Sequence, residues 1–411
     1  MADGNNVALA AAREEIRSIP LERLDPSVAE RFRDDTHWAV FERLRDEAPV
    51  HYTAASRFGP FWSVTRFQDI MEVDTNAGAF SSARGVGIGD IDSAFPLPMF
   101  IASDPPKHDA QRKVVSPIVA PANLMNLEPI IRERAGRILD ALPIGETFDW
   151  VDRVSVELTT QMLATLFDFP FEERRKLTHW SNVALTGLRD EASRQEMREC
   201  TDYFQRLWDE RAAAPPAHDL ISMLAHGEST RDMPREEFMG NLILLIVGGN
   251  DTTRNSMSGS VLALHQHPTE YDKLRADPSL LASMVPEVIR WQSPVAHMRR
   301  NAVTDIDFHG HTIRAGEKVV MWYVSGNRDE RVIDNPNAFI IDRERPRQHL
   351  SFGFGIHRCV GNRLAEMQLR VVWEEILKRF PVIEVVGEPV RAKSCLVREY
   401  SELPVRISRR H

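Results

Sequence analysis

Residues 351–369, SFGFGIHRCVGNRLAEMQL, set a single cysteine, Cys359, among Gly353, Gly355 and Gly361 with a histidine and arginines close by. The glycines let the backbone approach a partner closely, and from Asn362 onward the composition is that of a helix. Cys359 therefore stands just ahead of a helix N-terminus, where free N–H groups and the macrodipole favour a thiolate. Three roles stay open at this point: a nucleophile, a metal ligand or an ordinary buried cysteine. In each case the fold has to deliver a glycine-rich loop and a helix start to one place.

The other two cysteines, Cys200 and Cys395, make no disulfide framework with it, and no C-x-x-C or C-x-x-C-H pattern exists for zinc or covalent haem attachment. Whatever Cys359 binds, it binds as the only thiolate. With 43% hydrophobic and 27% charged residues, the 411-residue chain has the make-up of an ordinary globular protein with a sizeable core. No Pro/Gly/Ser-rich linker, charge block or internal repeat divides it, so a single domain over 1–411 is expected. Arg13, Glu14, Glu15 and Arg17 interrupt the short apolar start, which reads as neither a signal nor an anchor. The longest apolar window, NLILLIVGG, is too short to span a membrane, and a cytoplasmic protein is expected. The formal charge of −9 argues against general nucleic-acid binding. Between Arg343 and Arg363, however, five arginines face one glutamate, and this local +4 suggests a specific anionic partner.

Most of the chain has helical patterning. Residues 304–324 alternate like a strand hairpin, and residues 51–67 and 380–386 also read as strands. The expected class is mainly α with a smaller β portion (α+β), the β-rich parts lying at about 45–70, 295–330 and 380–411 around a helical body. Residues 83–106, ARGVGIGDIDSAFPLPMFIASDPP, are too rich in Gly and Pro for a regular helix. A long apolar loop of this kind either covers a greasy substrate or is a plain connector.

Residues 241–259, NLILLIVGGNDTTRNSMSG, are apolar and helical up to Val247, meet Gly248 and Gly249, pass a polar cluster and resume a helical pattern. Two glycines inside a buried helix each cost about 1 kcal/mol relative to Ala, so a reason is expected. Without side chains there a ligand can lie flat on the backbone, and Asp251 beside Thr252 supplies a carboxylate and a hydroxyl able to pass protons. The alternative is a loop between two helices with the aspartate as N-cap. Glu287 and Arg290 sit at i and i+3 on one helix face, with Pro286 suited to the first turn; taken alone they read as a solvated pair. His108 and Arg112 sit at i and i+4, so both reach one anion, and Arg300 and His357 add cationic or donor candidates. Four such groups beside one thiolate and a glycine-gapped helix suggest a ligand with a metal centre, apolar faces and acidic substituents. Haem fits that description, with Cys359 as axial thiolate.

Taken together, these segments resemble the cytochrome P450 family over nearly the full length. FGFGIHRCVG is similar to the family's cysteine-ligand loop, GGNDTT to its oxygen-activating helix segment, and EVIR to its Glu-x-x-Arg pair, with Arg343 as third member of a fold-stabilising cluster. The resemblance implies haem b buried between a long central helix and the cysteine loop, with Cys359 on iron and His108, Arg112, Arg300 and His357 on the propionates. Asp251 and Thr252 map onto the acid–alcohol pair that delivers protons to bound dioxygen, while Asn250 and Arg254 around them are less usual. A narrower resemblance, carried by LLIVGGNDTTRNSMSG and FGFGIHRCVGNRLAEMQLRVVWEEIL, is to the soluble bacterial branch that hydroxylates medium-chain alkanes and fatty acids at or near the terminal carbon.

The implied activity is therefore a haem-thiolate monooxygenase inserting one atom of O2 into a C–H bond of an apolar substrate. A monoterpene or other cyclic hydrocarbon is the alternative substrate; a peroxide-driven haem enzyme and a non-catalytic haem module are the competing classes. Expected pocket walls are Leu244, Val247 and Gly248 on the long helix and Val86, Ile88, Phe95 and Met99 in the apolar loop. Val295, Ala296, His297 and Met298 would complete them together with Leu396 and Val397. The apolar loop and residues 178–194 read as a lid. No flavin or iron–sulfur segment is present, so electrons are expected from a separate [2Fe–2S] ferredoxin with an NAD(P)H-dependent reductase, docking on the basic stretch around Cys359 with Lys107 and Lys113 at its rim.

Overall fold

A helix of 32 residues, Arg235–Gln266, organises the computed structural model, which describes residues 2–90, 97–186 and 190–411. It starts after Pro234, with Glu236 and Glu237 in its first turn, and stops before His267–Pro268, where proline excludes the helical conformation from the residue ahead of it. Most of its residues are buried by neighbours, while Leu244, Val247 and Thr252 are half-buried and Gly248 is exposed. Glu157–Phe167, Arg175–Thr186, Leu281–Gln292 and Asn362–Arg379 all pack on it. Their shared core includes Leu242, Ile246 and Val261 of the central helix with Leu158, Phe167 and Trp373 from its neighbours.

The helix runs unbroken through Gly248 and Gly249, as a helix carrying two glycines and not as the alternative of a loop between two helices. The residues on either side decide this: Ile246, Asn250 and Asp251 are fully buried, and a break among them would leave main-chain groups unpaired at a higher cost than two glycines in a helix. A Cβ at Gly249 would stand 2.8 Å from Leu163 Cδ2, whereas one at Gly248 would meet nothing within 4 Å. Gly249 thus serves helix packing, and Gly248 faces open space.

The main sheet has five strands in the spatial order Val50–Thr53, Phe61–Val64, Lys318–Met321, Met298–Ala302 and Phe80–Ser81. Phe61–Val64 runs parallel to Lys318–Met321 with Trp62 opposite Val319, and the other pairs are antiparallel. A second sheet joins Thr147–Asp149, Pro404–Arg406 and Glu384–Val385. Phe80–Ser81 and Thr147–Asp149 lie outside the expected strand regions; each is too short for alternation to register and forms only because its partner strand offers an edge. The architecture is α+β. Among the described residues no single helix is long and apolar enough to cross a membrane.

Pro286 falls inside Leu281–Gln292 rather than in its first turn, because the helix starts earlier, straight after the short turn Pro278–Leu280. That helix also carries Glu287 and Arg290, both fully buried and not a solvated pair. Arg290 grips Glu287 with two hydrogen bonds, Nε to Oε2 at 2.7 Å and Nη2 to Oε1 at 2.8 Å. Arg343 adds Nε to Oε2 at 3.0 Å, and the Ile340 N–H donates to Oε1 at 2.9 Å. Burial pushes the Glu287 carboxyl up, but these donors outweigh it and hold it below the usual carboxylate range. Arg290 Nη1 also donates to Asn327 O at 2.8 Å. The Asn327 side chain in turn donates to Ser351 Oγ at 2.8 Å and accepts from the Leu350 N–H at 2.6 Å. The buried cluster is thereby wired to the first residues of the cysteine loop.

Candidate functional site

The cysteine loop turns at Gly353 (φ 65°) and Gly355 (φ 66°), both left-handed, and a Cβ at Gly355 would meet Asp74 O at 2.6 Å. The Cys359 N–H donates to Phe352 O at 2.8 Å, and the helix Asn362–Arg379 starts three residues on. Cys359 is exposed along one side, where it opens onto a cavity of about 650 Å³ lined also by Arg112, Arg347, His349, Phe352, Arg358 and Arg363. Dense protein on its other sides pushes the thiol up, and the Gly361 N–H and the charges of Arg112 and Arg358 recover only part of the shift. The thiolate expected from the helix start alone is therefore not what this pocket favours. A bound metal cation reverses such a balance and takes the sulfur as thiolate.

His108 and Arg112 lie on the helix Lys107–Val115, and His108 meets His357 with ring centroids 4.2 Å apart. Both rings are buried, and His108 Nε2 and His357 Nδ1 have no hydrogen-bond partner, although His108 Nδ1 contacts Asp109 Oδ1 at 2.7 Å and His357 Nε2 contacts Ser82 Oγ at 3.0 Å. Burial, then the charges of Arg300, His108 and Arg112, push His357 down to about 3. Two orphaned ring nitrogens in a field of guanidinium groups fit an acceptor carrying negative charge. Cys359 opens onto the cavity that Arg112 also lines, and among the described residues no cluster of three or more His, Cys, Asp or Glu forms a metal cage. Iron carried in a macrocycle with two carboxylates satisfies both observations, so haem fits these residues.

Arg300 is partly committed already. Its Nη2 donates to Asp74 Oδ1 at 2.7 Å and its Nη1 to Arg299 O at 2.9 Å, which leaves the rest of its five N–H donors free. Asp74 is buried and also accepts from Tyr323 Oη at 2.8 Å and from the Phe354 N–H at 2.7 Å. Burial raises its carboxyl, and Arg300 is the foremost group opposing that. One carboxylate thus fastens strand, helix and cysteine loop together around the histidines.

On the central helix Asp251 is fully buried and Thr252 half-buried, its Oγ1 donating to Gly248 O at 2.8 Å. Ser181 Oγ donates to Asp251 Oδ2 at 2.6 Å, Asn250 Nδ2 to Oδ1 at 3.2 Å, and Arg254 Nη2 lies 2.6 Å from Oδ1. Burial pushes the Asp251 carboxyl up to about 6, with Arg254 and Ser181 opposing and Glu399 reinforcing.

Of the expected wall residues, Val86, Met99, Leu244, Val247, Val295, Met298 and Leu396 are half-buried and Gly248 is exposed. Ile88 and Ala296 instead pack in a core cluster with Phe41, Phe61 and Trp322, and Val397 is buried in a bridge with Val295. These three sit behind the wall, because the main chain there is stitched tightly: Arg299 N–H donates to Val86 O at 2.7 Å and Ala296 N–H to Leu396 O at 2.8 Å. Phe95 lies outside the described residues, as do 187–189 of the expected lid segment. His297 is no wall either. Its Nε2 accepts from the Ile88 N–H at 3.2 Å, so its Nδ1 carries the proton donated to Cys395 O at 2.8 Å. Burial pushes it down to about 4.

Arg299, Asp74, Ser181 and Glu399 were absent from the expected set. Strand alternation in Met298–Ala302 puts Arg299 and Arg300 on opposite faces and was a usable signal: Arg299 turns the other way and donates to Gly89 O at 3.0 Å and Asp90 Oδ1 at 3.1 Å, pinning the apolar loop. At the loop's far end Gly240 receives Pro98 so closely that a Cβ would stand 2.0 Å from Pro98 O, and the Phe100 N–H donates to Asn241 Oδ1 at 2.8 Å. Lys107, expected at the basic rim, is paired with Glu237 at 2.7 Å.

Comparison with known proteins gives the family. The Cytochrome P450 family model matches residues 159–397. Linalool 8-monooxygenase of Pseudomonas putida is 37% identical over 404 residues, covering 94% of this chain and 99% of that protein. A methyl-branched lipid omega-hydroxylase of Mycobacterium tuberculosis is 30% identical over 393 residues, covering 90% and 91%. A solved cytochrome P450-153 from Novosphingobium aromaticivorans matches with a TM-score of 0.88 at 45% identity, covering 93% of this chain and 98% of that one. With its cysteine loop, its orphaned histidines and these full-length relatives, the chain belongs to the cytochrome P450 family of haem-b monooxygenases.

Proposed function

We propose that the chain hydroxylates an extended apolar molecule, a medium-chain alkane or fatty acid, at or near its terminal carbon. The accessible face of the central helix carries this reading. Leu244, Gly248 and Thr252 are spaced by four residues and so share one face, with Val247 beside them. That row is about 12 Å long at 1.5 Å per residue, apolar along its length and ending at the acid–alcohol pair. A chain laid along it arrives end first. Terminal C–H bonds are stronger than internal ones, so only such positioning overrides intrinsic preference. The linalool-oxidising relative favours a monoterpene as second reading.

Cys359 would hold the haem iron as its thiolate ligand, and His108, Arg112, Arg300 and His357 would hold the two propionates. When bound, the haem supplies dioxygen activation and the oxidising power for C–H cleavage. Asp251 keeps a proton close to neutral pH and hands it to the Thr252 hydroxyl, which turns from Gly248 O to donate into the site. Val86, Met99, Val295, Met298 and Leu396 exclude water and hold the substrate chain. Single electrons would come from an acidic [2Fe–2S] ferredoxin and its NAD(P)H-dependent reductase, docking where Arg112, Arg347, Arg358 and Arg363 surround Cys359.

The test is an optical titration of the ferric protein with linear alkanes, fatty acids, monoterpenes and polycyclic compounds. A saturable shift toward the high-spin Soret band confined to linear chains of one length range is expected. A shift with bulky cyclic ligands only discards the linear channel.

A further inference from the structure

We propose that Glu399 is a positioning residue for proton delivery: it shares the Arg254 guanidinium with Asp251 and thereby governs how firmly Asp251 holds its proton. This rests on the reading of Asp251 as proton donor. A single nitrogen, Arg254 Nη2, lies 2.6 Å from Asp251 Oδ1 and 2.7 Å from Glu399 Oε1. The Asp251 and Arg254 side chains are 0% and 3% exposed, whereas that of Glu399 is 21% exposed, so Glu399 is the member in touch with solvent. Arg254 Nε is buried without a partner, so the cation leans on these two carboxylates.

A second strap runs beside the first. Asn255 Nδ2 donates to Asp251 O at 2.7 Å, and the Tyr400 N–H donates to Asn255 Oδ1 at 2.8 Å. The segment 399–400 is thus tied twice to the helix turn that bears Asp251, and it continues directly from Leu396 at the candidate pocket. On its other oxygen Asp251 meets Ser181, from the helix Arg175–Thr186 of the expected lid. The C-terminal segment and the helix Arg175–Thr186 therefore converge on one carboxyl.

Among the described residues, the charged groups that act on Asp251 are Arg254 from its own helix and Glu399 from the C-terminal segment. The helix Arg175–Thr186 contributes the neutral Ser181. The helix Glu157–Phe167 contributes the neutral Thr159, whose Oγ1 donates to Asn250 Oδ1 at 2.9 Å. Removing the negative charge of Glu399 leaves the cation to Asp251 alone and favours its ionised form; removing Arg254 does the reverse.

The experiment follows the carboxylic C=O infrared band of Asp251 against pH in the ferric protein, the band being assigned by its loss in Asp251→Asn. The wild-type midpoint is expected at about 6. Glu399→Gln is expected to lower it by roughly one pH unit, as for a charge acting across one intervening group. Arg254→Gln is expected to raise it; should that buried change prevent folding, Glu399→Gln decides alone. A midpoint unmoved by Glu399→Gln overturns the proposal. The partition of reducing equivalents between product and peroxide is measured in parallel. If Asp251→Asn leaves that partition unchanged, the proton-donor reading itself fails, whatever the midpoints show.

Discussion

Two buried carboxylates meet guanidinium groups in this molecule and end in opposite states. Glu287 takes two hydrogen bonds from Arg290, two from Arg343 and one from a main-chain N–H, and stays ionised below the usual range. Asp251 is as deeply buried but has part of one guanidinium, a serine hydroxyl and an asparagine amide, and is pushed up to about 6. The difference lies in the number of donors and in who shares them. Saturating a buried carboxylate fixes a structure; leaving it short of donors keeps a proton within reach of neutral pH.

The sharpest way to break the comparison is at Glu287. Glu287→Ala leaves Arg290 with no carboxylate while it remains fully buried, and the wiring through Asn327 to the cysteine loop loses its anchor. A loss of about 3–5 kcal/mol is expected from breaking such a pair, read as a lowered denaturation midpoint with weakened haem retention. A stability within experimental error of wild type would show that the cluster is not what holds the loop.

Asp251→Asn addresses the other carboxylate and is expected to act on chemistry before stability. Product formation should fall by roughly a hundredfold, as for loss of a positioned proton donor. In Thr252→Ala, electrons and O2 should still be consumed, with hydrogen peroxide released in place of product. Unchanged coupling in both variants would remove the pair from proton delivery.

Much of this contrast was legible in the chain, and the part that was not has a physical reason. The Cys359 loop, the Glu287–Arg290 pair and the His108–Arg112 pair are local patterns whose spacing already places the side chains together. Asp74 meets Arg300 across 226 positions, and Glu399 meets Arg254 across 145. Such pairs are made by folding and leave no periodicity in a single sequence. Apolar composition likewise did not separate wall from core: Ile88 and Ala296 look like Val86 and Val295 until the sheet buries them. The central helix carries the same lesson: propensity at Gly248 and Gly249 left a loop open as an alternative, and only the fold, which buries Ile246, Asn250 and Asp251 on either side, closes it.

The two carboxylates also predict opposite pH slopes. Glu287 has a lowered folded pKa, so its contribution is complete above the ordinary glutamate value of 4.5 and is lost as pH falls through the folded value. Asp251 has a raised one. Between 3.8 and about 6 the folded state binds more protons than the unfolded chain, so this group's contribution declines as pH rises through that window. The size is on the order of 2–3 kcal/mol at most. Thermal unfolding followed across the window should show that decline flattened in Asp251→Asn; an unchanged slope would mean that Asp251 does not hold its proton as described.

The smallest expected effect separates two adjacent glycines. Gly249→Ala sets a methyl 2.8 Å from Leu163 Cδ2, a side chain that is itself 2% exposed and has little room to yield, so a net loss of about 1 kcal/mol is expected. Gly248→Ala meets nothing and should stabilise the helix by roughly 0.5–1 kcal/mol. The added methyl stands on the same helix face as Leu244 and Thr252, so it should weaken substrate binding in the optical titration while raising the unfolding temperature. Opposite signs for stability and binding at one position are what a pocket floor produces. A Gly248→Ala protein that gains stability and binds linear substrates as before would move the channel off this helix face.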